Sequence, residues 1–411
     1  MNAQILQFGR HSHTFVIMTL THLRKQVVLK NKEERRVVAG HPWVFSNEIR
    51  ETKGDPQAGD IVELIAASGL SLGIGLYNPH SLIAFRLLSD RVEEIDKTFF
   101  KKRIASALAL REQLYPDTAC YRLVHGEGDF LSGLVIDRYN DHFAVQIFAF
   151  GLEQRLPLIT DVLCEMFSPV CIVARNESHL RALENLPLEK TVLYGKPGPT
   201  EILEGGLRYT VDLMEGQKTG FFLDQRESRA GLARFSKGAR VLDGFCNDGG
   251  FALTAARAGA VSVLGVDSSA EAITRARNNA LLNRLEVVQF EAGDMFDVLK
   301  RLKSEEKQYD VMILDPPSFT KSRKNVTTAK KGYRELHCSA LPLITRGGIL
   351  LTASCSHHIL PEVFLDIVDD AARGNGRRLQ LMEWRGAPPD HPTLPAVPET
   401  RYLKVGTFRV L

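Results

Sequence analysis

Two short stretches combine a reactive side chain with a turn that would expose it. In "GGILLTASCSHH" (347–358) a Gly347–Gly348 turn opens an apolar run, Ile349 to Leu351, bulky enough for a buried strand; polar residues from Thr352 onward leave Cys355 at or just past its carboxyl end. In "MILDPPSF" (312–319) a second apolar run ends in Asp315, and the two following prolines remove two N–H donors and hold the chain extended, so the carboxylate is presented stiffly. If both runs are strands of one parallel sheet, thiol and carboxylate reach the same carboxyl rim, where open α/β sheets bind ligands. A thiol beside a carboxylate can do nucleophilic chemistry with a proton carrier at hand. A free cysteine can equally be a small apolar filler, and Asp-Pro-Pro a plain strand ending, so the pair has to be read in context.

That context is a pattern of acidic strand ends upstream. "VLDGFCNDGGF" (241–251) closes a strand on Asp243 and passes through Phe245, Cys246 and Asn247 to Gly249 and Gly250 at the start of a helix, whose first N–H groups are free. It lacks the G-x-G-x-x-G of a dinucleotide site. Asp267 follows 24 residues after Asp243, in "LGVDSS" with Ser268, where a carboxylate can accept from both ribose hydroxyls. "AGDMF" (292–296) adds Asp294 and Met295 on the adenine side. A nucleoside pocket without a pyrophosphate clamp favours S-adenosylmethionine over NAD. Each aspartate alone could be a helix cap or turn former; their order and spacing carry the reading.

The elements needed to position these residues are present. From about 216 the chain alternates strands ("ARVLDGF", "SVLGVDS", "LEVVQFEAGD", "YDVMILDPP", "GGILLTASC") with helical runs, among them 249–258, 269–282 and 332–345, implying a mostly parallel doubly wound sheet. Residues 20–90 hold short β-like runs ("QVVLK", "VVAGHPWVF", "DIVELIAA", "SLGIGLYN", "LIAFRLLS") punctuated by glycines, as in a small barrel or sandwich. Between them come a helix at 98–114, strands "SGLVIDRYN", "HFAVQIFAF" and "VCIVARN", a helix near 153–167, and a hairpin turning at Gly205–Gly206. The expected division is an extension at 1–19, a β-rich domain at 20–92, a central α+β domain at 93–214 and the doubly wound domain at 215–411. Met18 is an alternative start.

Composition excludes little. With 411 residues and a net charge of +3, the chain does not announce a polyanionic partner, so any case for nucleic acid rests on where the bases cluster. "LRKQVVLKNKEERR", containing Arg24 and Lys25, is a solvated face or a phosphate patch. "KSRKNVTTAKKGYR" (321–334) brings Lys321, Arg323, Lys324, Lys330, Lys331 and Arg334 directly behind Asp-Pro-Pro with no acid. That place favours phosphate contact. The six cysteines form no C-x-x-C pair and no metal-ligand spacing, so no metal is expected and a reducing cytoplasm is the simplest home. No run approaches the length of a membrane span.

The series "LDGFCNDGGF", "GVDSS", "LDPPSF", "TASCSHH" and the tail "DHP…PE…YLK" resembles the bacterial 23S ribosomal RNA cytosine-C5 methyltransferase family, and "GHPWVFSNEI" (40–49) resembles the amino-terminal PUA domain of such enzymes. The chain departs from the family pattern at "CNDGG", which leaves the role of Asp248 open. The resemblance implies a Rossmann-like class I methyltransferase domain using S-adenosylmethionine, a central α+β domain and a PUA domain for RNA. It implies Cys355 as the nucleophile that adds to cytosine C6, making C5 an enamine carbon able to accept a methyl group, and Asp315 as the group holding the N3 and N4 edge. "EGQKTGFFLDQRESR" (215–229) resembles the family's cofactor lid, with Lys218, Thr219 and Gln225 as contacts; Asp315 and Pro316 also border the cofactor. His357 and His358 are candidate bases for the C5 proton, or idle loop residues. The expected partner is 23S ribosomal RNA, with a homodimer possible in principle. Two other readings remain open: an N-methyltransferase on guanine N7 or an amino group, which needs no cysteine, and a catalytically silent RNA-binding assembly factor.

Overall fold

The computed structural model describes residues 24–320 and 325–411. The extension at 1–19, Met18, and the basic residues Lys321, Arg323 and Lys324 lie outside the described residues.

The first unit contains β1 (Gln26–Leu29), α1 (Glu34–Val38), β2 (Trp43–Phe45), β3 (Ile49–Lys53), β4 (Ile61–Ile65), β5 (Ser71–Tyr77) and β6 (Ile83–Ser89) in one sheet of order β2-β6-β5-β4-β1-β3. Val27, Leu29, Val44, Leu64 and Phe85 close its core. The run "VVAGHPWVF" divides: Val37 and Val38 end α1, and the strand begins only at Trp43.

The second unit contains α2 (Lys97–Leu114), β7 (Cys120–His125), β8 (Leu134–Tyr139), β9 (His142–Ile147), α3 (Phe150–Glu153), α4 (Leu156–Phe167), β10 (Cys171–Asn176) and β11 (Glu189–Gly195). Its sheet runs β11-β10-β9-β8-β7, with β11 at a free edge. A hairpin of β12 (Thr200–Glu204) and β13 (Leu207–Val211) turns at Gly205 and Gly206, both at positive φ, a conformation glycine adopts without a Cβ clash. Trp43 Nε1 donates to Glu127 at 2.9 Å, tying the first unit to the second.

The third unit contains α5 (Arg226–Ser236), β14 (Arg240–Gly244), α6 (Gly250–Arg257), β15 (Ser262–Asp267), α7 (Ala270–Leu282), β16 (Val288–Ala292), α8 (Met295–Ser304), β17 (Tyr309–Leu314), α9 (Val326–Ala340), β18 (Ile344–Ser354), α10 (Pro361–Gly374), β19 (Leu379–Arg385) and β20 (Lys404–Val410). The sheet order is β16-β15-β14-β17-β18-β20-β19, so the chain reverses direction in the sheet at β14, where a crevice opens at the strand ends. Strands β14 to β18 are parallel, and β20 is antiparallel to both its neighbours. Helices cover both faces, which is why Val241, Leu242, Met312 and Ile313 are fully buried in succession rather than alternating with polar residues. The five expected strands are all present; β19 and β20 are additions. Helix α9 begins six residues before the expected 332 and ends at Ala340, with Pro342 in the turn that follows.

Arg111 joins the second and third units. Its guanidinium, fully buried, meets both oxygens of Asp129 at 2.6 and 2.7 Å and donates to the Asp390 carbonyl at 2.7 Å. Among the described residues no helix is long and apolar enough to cross a membrane, and no His, Cys, Asp and Glu group has metal-site geometry.

Candidate active site

The turn from β14 into α6 holds Phe245, Asn247 and Gly249 at positive φ, bending the backbone sharply over the strand ends. A Cβ on Gly249 would also press on the Phe290 ring, so glycine is required there by packing and conformation together. Asp243, fully buried, accepts from the Ala252 amide at 2.8 Å, and burial drives its carboxyl well above the ordinary range. It therefore pins the start of α6. Asp248, whose role the sequence left open, pairs with Arg275 at 2.6 Å while its carbonyl accepts from Asn279, and it also lines the cavity that Asp267 faces.

Asp267, at the end of β15, is held by two backbone amides: Asn247 N–H donates to one oxygen at 3.0 Å and Ser269 N–H to the other at 2.9 Å. The carboxylate faces a cavity of about 570 Å³ that runs from Asp267 past Met295 and Phe296 to Asp315 and Cys355. Its size lies within the range of small-molecule sites. Three oxygens in its wall, Asp224 Oδ1, Gln225 Oε1 and Asn247 Oδ1, are buried without a partner and call for donors from a ligand. Ribose hydroxyls and an amino group supply donors of that kind, and Val266, Met295 and Phe296 offer apolar contact for a flat base. These residues fit S-adenosylmethionine.

At the other end of the cavity Asp315 accepts from Gln225 Nε2 at 2.9 Å. Burial and the nearby Asp224 charge push its carboxyl up to about 6, with Lys218 and Gln225 opposing. Asp224 itself is buried and stays ionised, because Lys218 donates to it at 2.8 Å and the Tyr402 hydroxyl at 2.7 Å. One carboxylate is thus held charged and its neighbour is poised to take a proton. That contrast suits acid–base work.

Cys355, half-buried, opens onto the same cavity. Burial and Asp315 push its thiol up, opposed by the Lys218 and Lys404 charges. Its two serine neighbours are anchored. Ser354 donates to the Tyr333 hydroxyl at 2.9 Å, and Ser356 Oγ lies 3.0 Å from the Tyr333 hydroxyl and 3.0 Å from Ser318 Oγ. Ser318 belongs to the Asp-Pro-Pro loop, so one hydroxyl cluster fixes both reactive loops.

Of the residues singled out from sequence, Lys218, Gln225, Phe245, Asn247, Gly250, Asp267, Ser268, Asp294, Met295, Asp315, Pro316 and Cys355 line this cavity. Three do not. Thr219 is buried with its hydroxyl donating to Asp137 at 2.6 Å, and Asp243 and Gly249 shape the turn from behind. His357 and His358 do not line it either; His357 faces the Tyr402 ring. Asp224, Tyr333, Tyr402 and Lys404 lie in stretches quoted from the sequence but were given no role there; strand pairing and the tail bring them in. On α9, Lys330, Lys331 and Arg334 are exposed and have no ion-pair partner among the described residues. Arg24 is exposed, but Lys25 is engaged with Asp60 at 2.7 Å, which weakens it as a phosphate contact.

Residues 27–90 match the PUA-like domain family, and residues 178–409 match the S-adenosylmethionine-dependent methyltransferase family. The chain is 40% identical over 393 residues to ribosomal RNA large subunit methyltransferase I of Shewanella denitrificans, covering 94% of this chain and 99% of that protein. It is 37% identical over 386 residues to the protein of the same name from Tolumonas auensis, covering 92% and 97%. Among solved structures it is similar to an S-adenosylmethionine-dependent methyltransferase from Streptococcus mutans, with a TM-score of 0.79, 22% identity and coverage of 93% and 99%. A methyltransferase solved with SAH gives a TM-score of 0.81 at 22% identity, covering 93% and 99%. These two likenesses establish the shared fold.

Proposed function

Because the chain belongs to the S-adenosylmethionine-dependent methyltransferases and, within them, to the ribosomal RNA large subunit methyltransferase I family, we propose that it methylates C5 of a cytosine in 23S ribosomal RNA through a covalent bond between Cys355 and C6. The observation that carries the reading is that Cys355 and Asp315 open onto the far end of the cavity whose near end is built for the cofactor.

S-adenosylmethionine supplies an electrophilic methyl group. Asp267, Asn247 and Gln225 would hold it, with Met295 and Phe296 against its base. The chain's own part is to make C5 nucleophilic. Cys355 thiolate bonds to C6 while Asp315, carrying a proton, donates it toward N3 and accepts from N4. A carboxyl raised to about 6 holds a useful fraction of proton near neutrality. After methyl transfer a base or water takes the C5 proton, the C6–sulfur bond breaks with its electron pair returning to sulfur, and the N3 proton goes back to Asp315, restoring the ring and the free thiolate. A cytosine stacked in a helix hides C6, so the target is a loop or a base turned out.

In this reading residues 20–92 contribute RNA binding, 93–214 connect, and 215–411 carry transfer; Lys330, Lys331 and Arg334 contact phosphates beside the base pocket. Action on ribosomal RNA makes the cytoplasm the working compartment. The free edge of β11, with Val192 and Tyr194 exposed, is where a second copy of the chain would pair.

The test is mass spectrometry of ribosomal RNA treated with labelled S-adenosylmethionine and the intact enzyme, Cys355→Ala or Cys246→Ala. The expected product is 5-methylcytosine, abolished only by Cys355→Ala with cofactor binding intact. A methylated purine still made by Cys355→Ala would replace this reading with direct attack by a ring or amino nitrogen.

A further inference from the structure

Resting on the role just given to Cys355, we propose that Lys404 is a positioning residue whose ammonium serves as the countercharge of the Cys355 thiolate. Lys404 opens β20 and pairs in register with Ser354, the residue before Cys355. Its ammonium donates to the carbonyl of Ser356, the residue after Cys355, at 2.7 Å. The side chain is only 3% exposed, yet among the described residues no carboxylate forms an ion pair with it. A buried ammonium satisfied by one carbonyl is costly, and the structure places that cost against the loop bearing the reactive thiol.

The groups facing Cys355 are Asp315 from the end of β17, Lys218 and Asp224 from the segment before α5, Tyr333 from α9 and Lys404 from β20. Lys218 acts on the thiol more strongly than Lys404, but it is tied to Asp224 at 2.8 Å, and the Asp224 charge works against it at Cys355. Lys404 is the cation near the thiol that has no carboxylate ion-pair partner among the described residues, and its charge acts on Cys355 and His357. Burial lowers its ammonium to about 8 while Cys355 raises it, the reciprocal of its effect on the thiol. In the step itself the S–H bond breaks, the electron pair stays on sulfur and the proton leaves to solvent. Near neutrality, below its midpoint of about 8, Lys404 stays protonated through this step.

The experiment is alkylation of Cys355 by iodoacetamide across pH in the full-length chain without RNA, followed by peptide mass spectrometry, with the partly exposed Cys164 and Cys338 as references in the same sample. Lys404→Gln keeps a donor for the Ser356 carbonyl and removes the charge; Lys404→Arg keeps both. We expect Lys404→Gln to move the Cys355 profile up by about one pH unit and slow its alkylation roughly tenfold near neutrality, while Lys404→Arg stays close to the unsubstituted chain and the reference cysteines are unchanged. A Lys404→Gln profile identical to the unsubstituted chain overturns the proposal and leaves Lys404 a mere support for the loop. The readout needs no methyl transfer. Failure of the 5-methylcytosine assignment would appear in the RNA product instead, so the two failures are distinguishable.

Discussion

Ser318 and Ser356 lie within hydrogen-bond distance, 3.0 Å apart, and so couple the loop of Asp315 to the loop of Cys355. The Tyr333 hydroxyl, shared between Ser354 and Ser356, holds this pair from below. Tyr333→Phe leaves both serine hydroxyls short of a partner in a buried place, so we expect a loss of about 1–3 kcal/mol in stability. Methyl transfer should fall more than tenfold, by order of magnitude, because misplacement of the loops separates nucleophile from carboxyl. Urea unfolding and single-turnover transfer check this; unchanged transfer with lowered stability would make the cluster a scaffold only.

Asp315 gives a pH-dependent signature. Its carboxyl rises from 3.8 unfolded to about 6 folded, so the folded state binds the proton more tightly and stability is lost as pH rises between those values. Asp315→Asn removes that loss. The substitution should therefore be increasingly stabilising relative to Asp315 from about pH 4 to about pH 6, level above that, and without this component below it. Denaturation midpoints of the two chains at several pH values decide it, and a difference independent of pH would mean the carboxyl is not raised.

Asp267 accepts from the Asn247 and Ser269 amides, so its loss should loosen the turn beside the cavity as well as weaken the proposed hold on the cofactor. Asp267→Ala removes a charged acceptor for ribose hydroxyls and should weaken S-adenosylmethionine about tenfold to a hundredfold, or about 1.5–3 kcal/mol. Isothermal titration of the cofactor against both chains measures this directly. Full affinity in the variant would move the ribose elsewhere in the cavity.

The exposed face of α9 should be read by salt. Replacing Lys330, Lys331 and Arg334 with Gln should weaken RNA binding without altering cofactor affinity, and should flatten the plot of log affinity against log salt by up to about three units of slope. Filter binding over a salt series provides the measurement. An unchanged slope would remove these three side chains from the phosphate contacts.

The sequence made the reactive rim legible because its signals are local: uninterrupted apolar residues mark a doubly covered strand, and Pro316–Pro317 marks where a strand stops, whereas Gly347–Gly348, expected as the turn before the strand, lies inside β18 as a break in its pairing with β17. Strand β20 was hidden by its own composition, since Lys404, Gly406, Thr407 and Arg409 break any strand-like pattern although almost all of it is buried. Lys404 was visible in the quoted tail "YLK", but its place beside the Cys355 loop follows only from the pairing of β20 with β18. The expected helix at 332–345 begins six residues later than α9, in whose interior Gly332 leaves room for the Phe319 ring. Thr219 is expected at the cofactor from the likeness of 215–229 to a cofactor lid, whereas its hydroxyl donates to Asp137, a partner far upstream that only tertiary packing reveals.

Strand β20 follows β14 to β19 in the chain yet lies inside their sheet, between β18 and β19. A polypeptide leaves the ribosome amino end first, so every other strand of this sheet emerges before the one that seats Lys404 beside Cys355. Until then β18 has an unpaired side and the thiol lacks its neighbouring cation. The cysteine therefore gains its final surroundings only when this last strand of the sheet has been made and inserted.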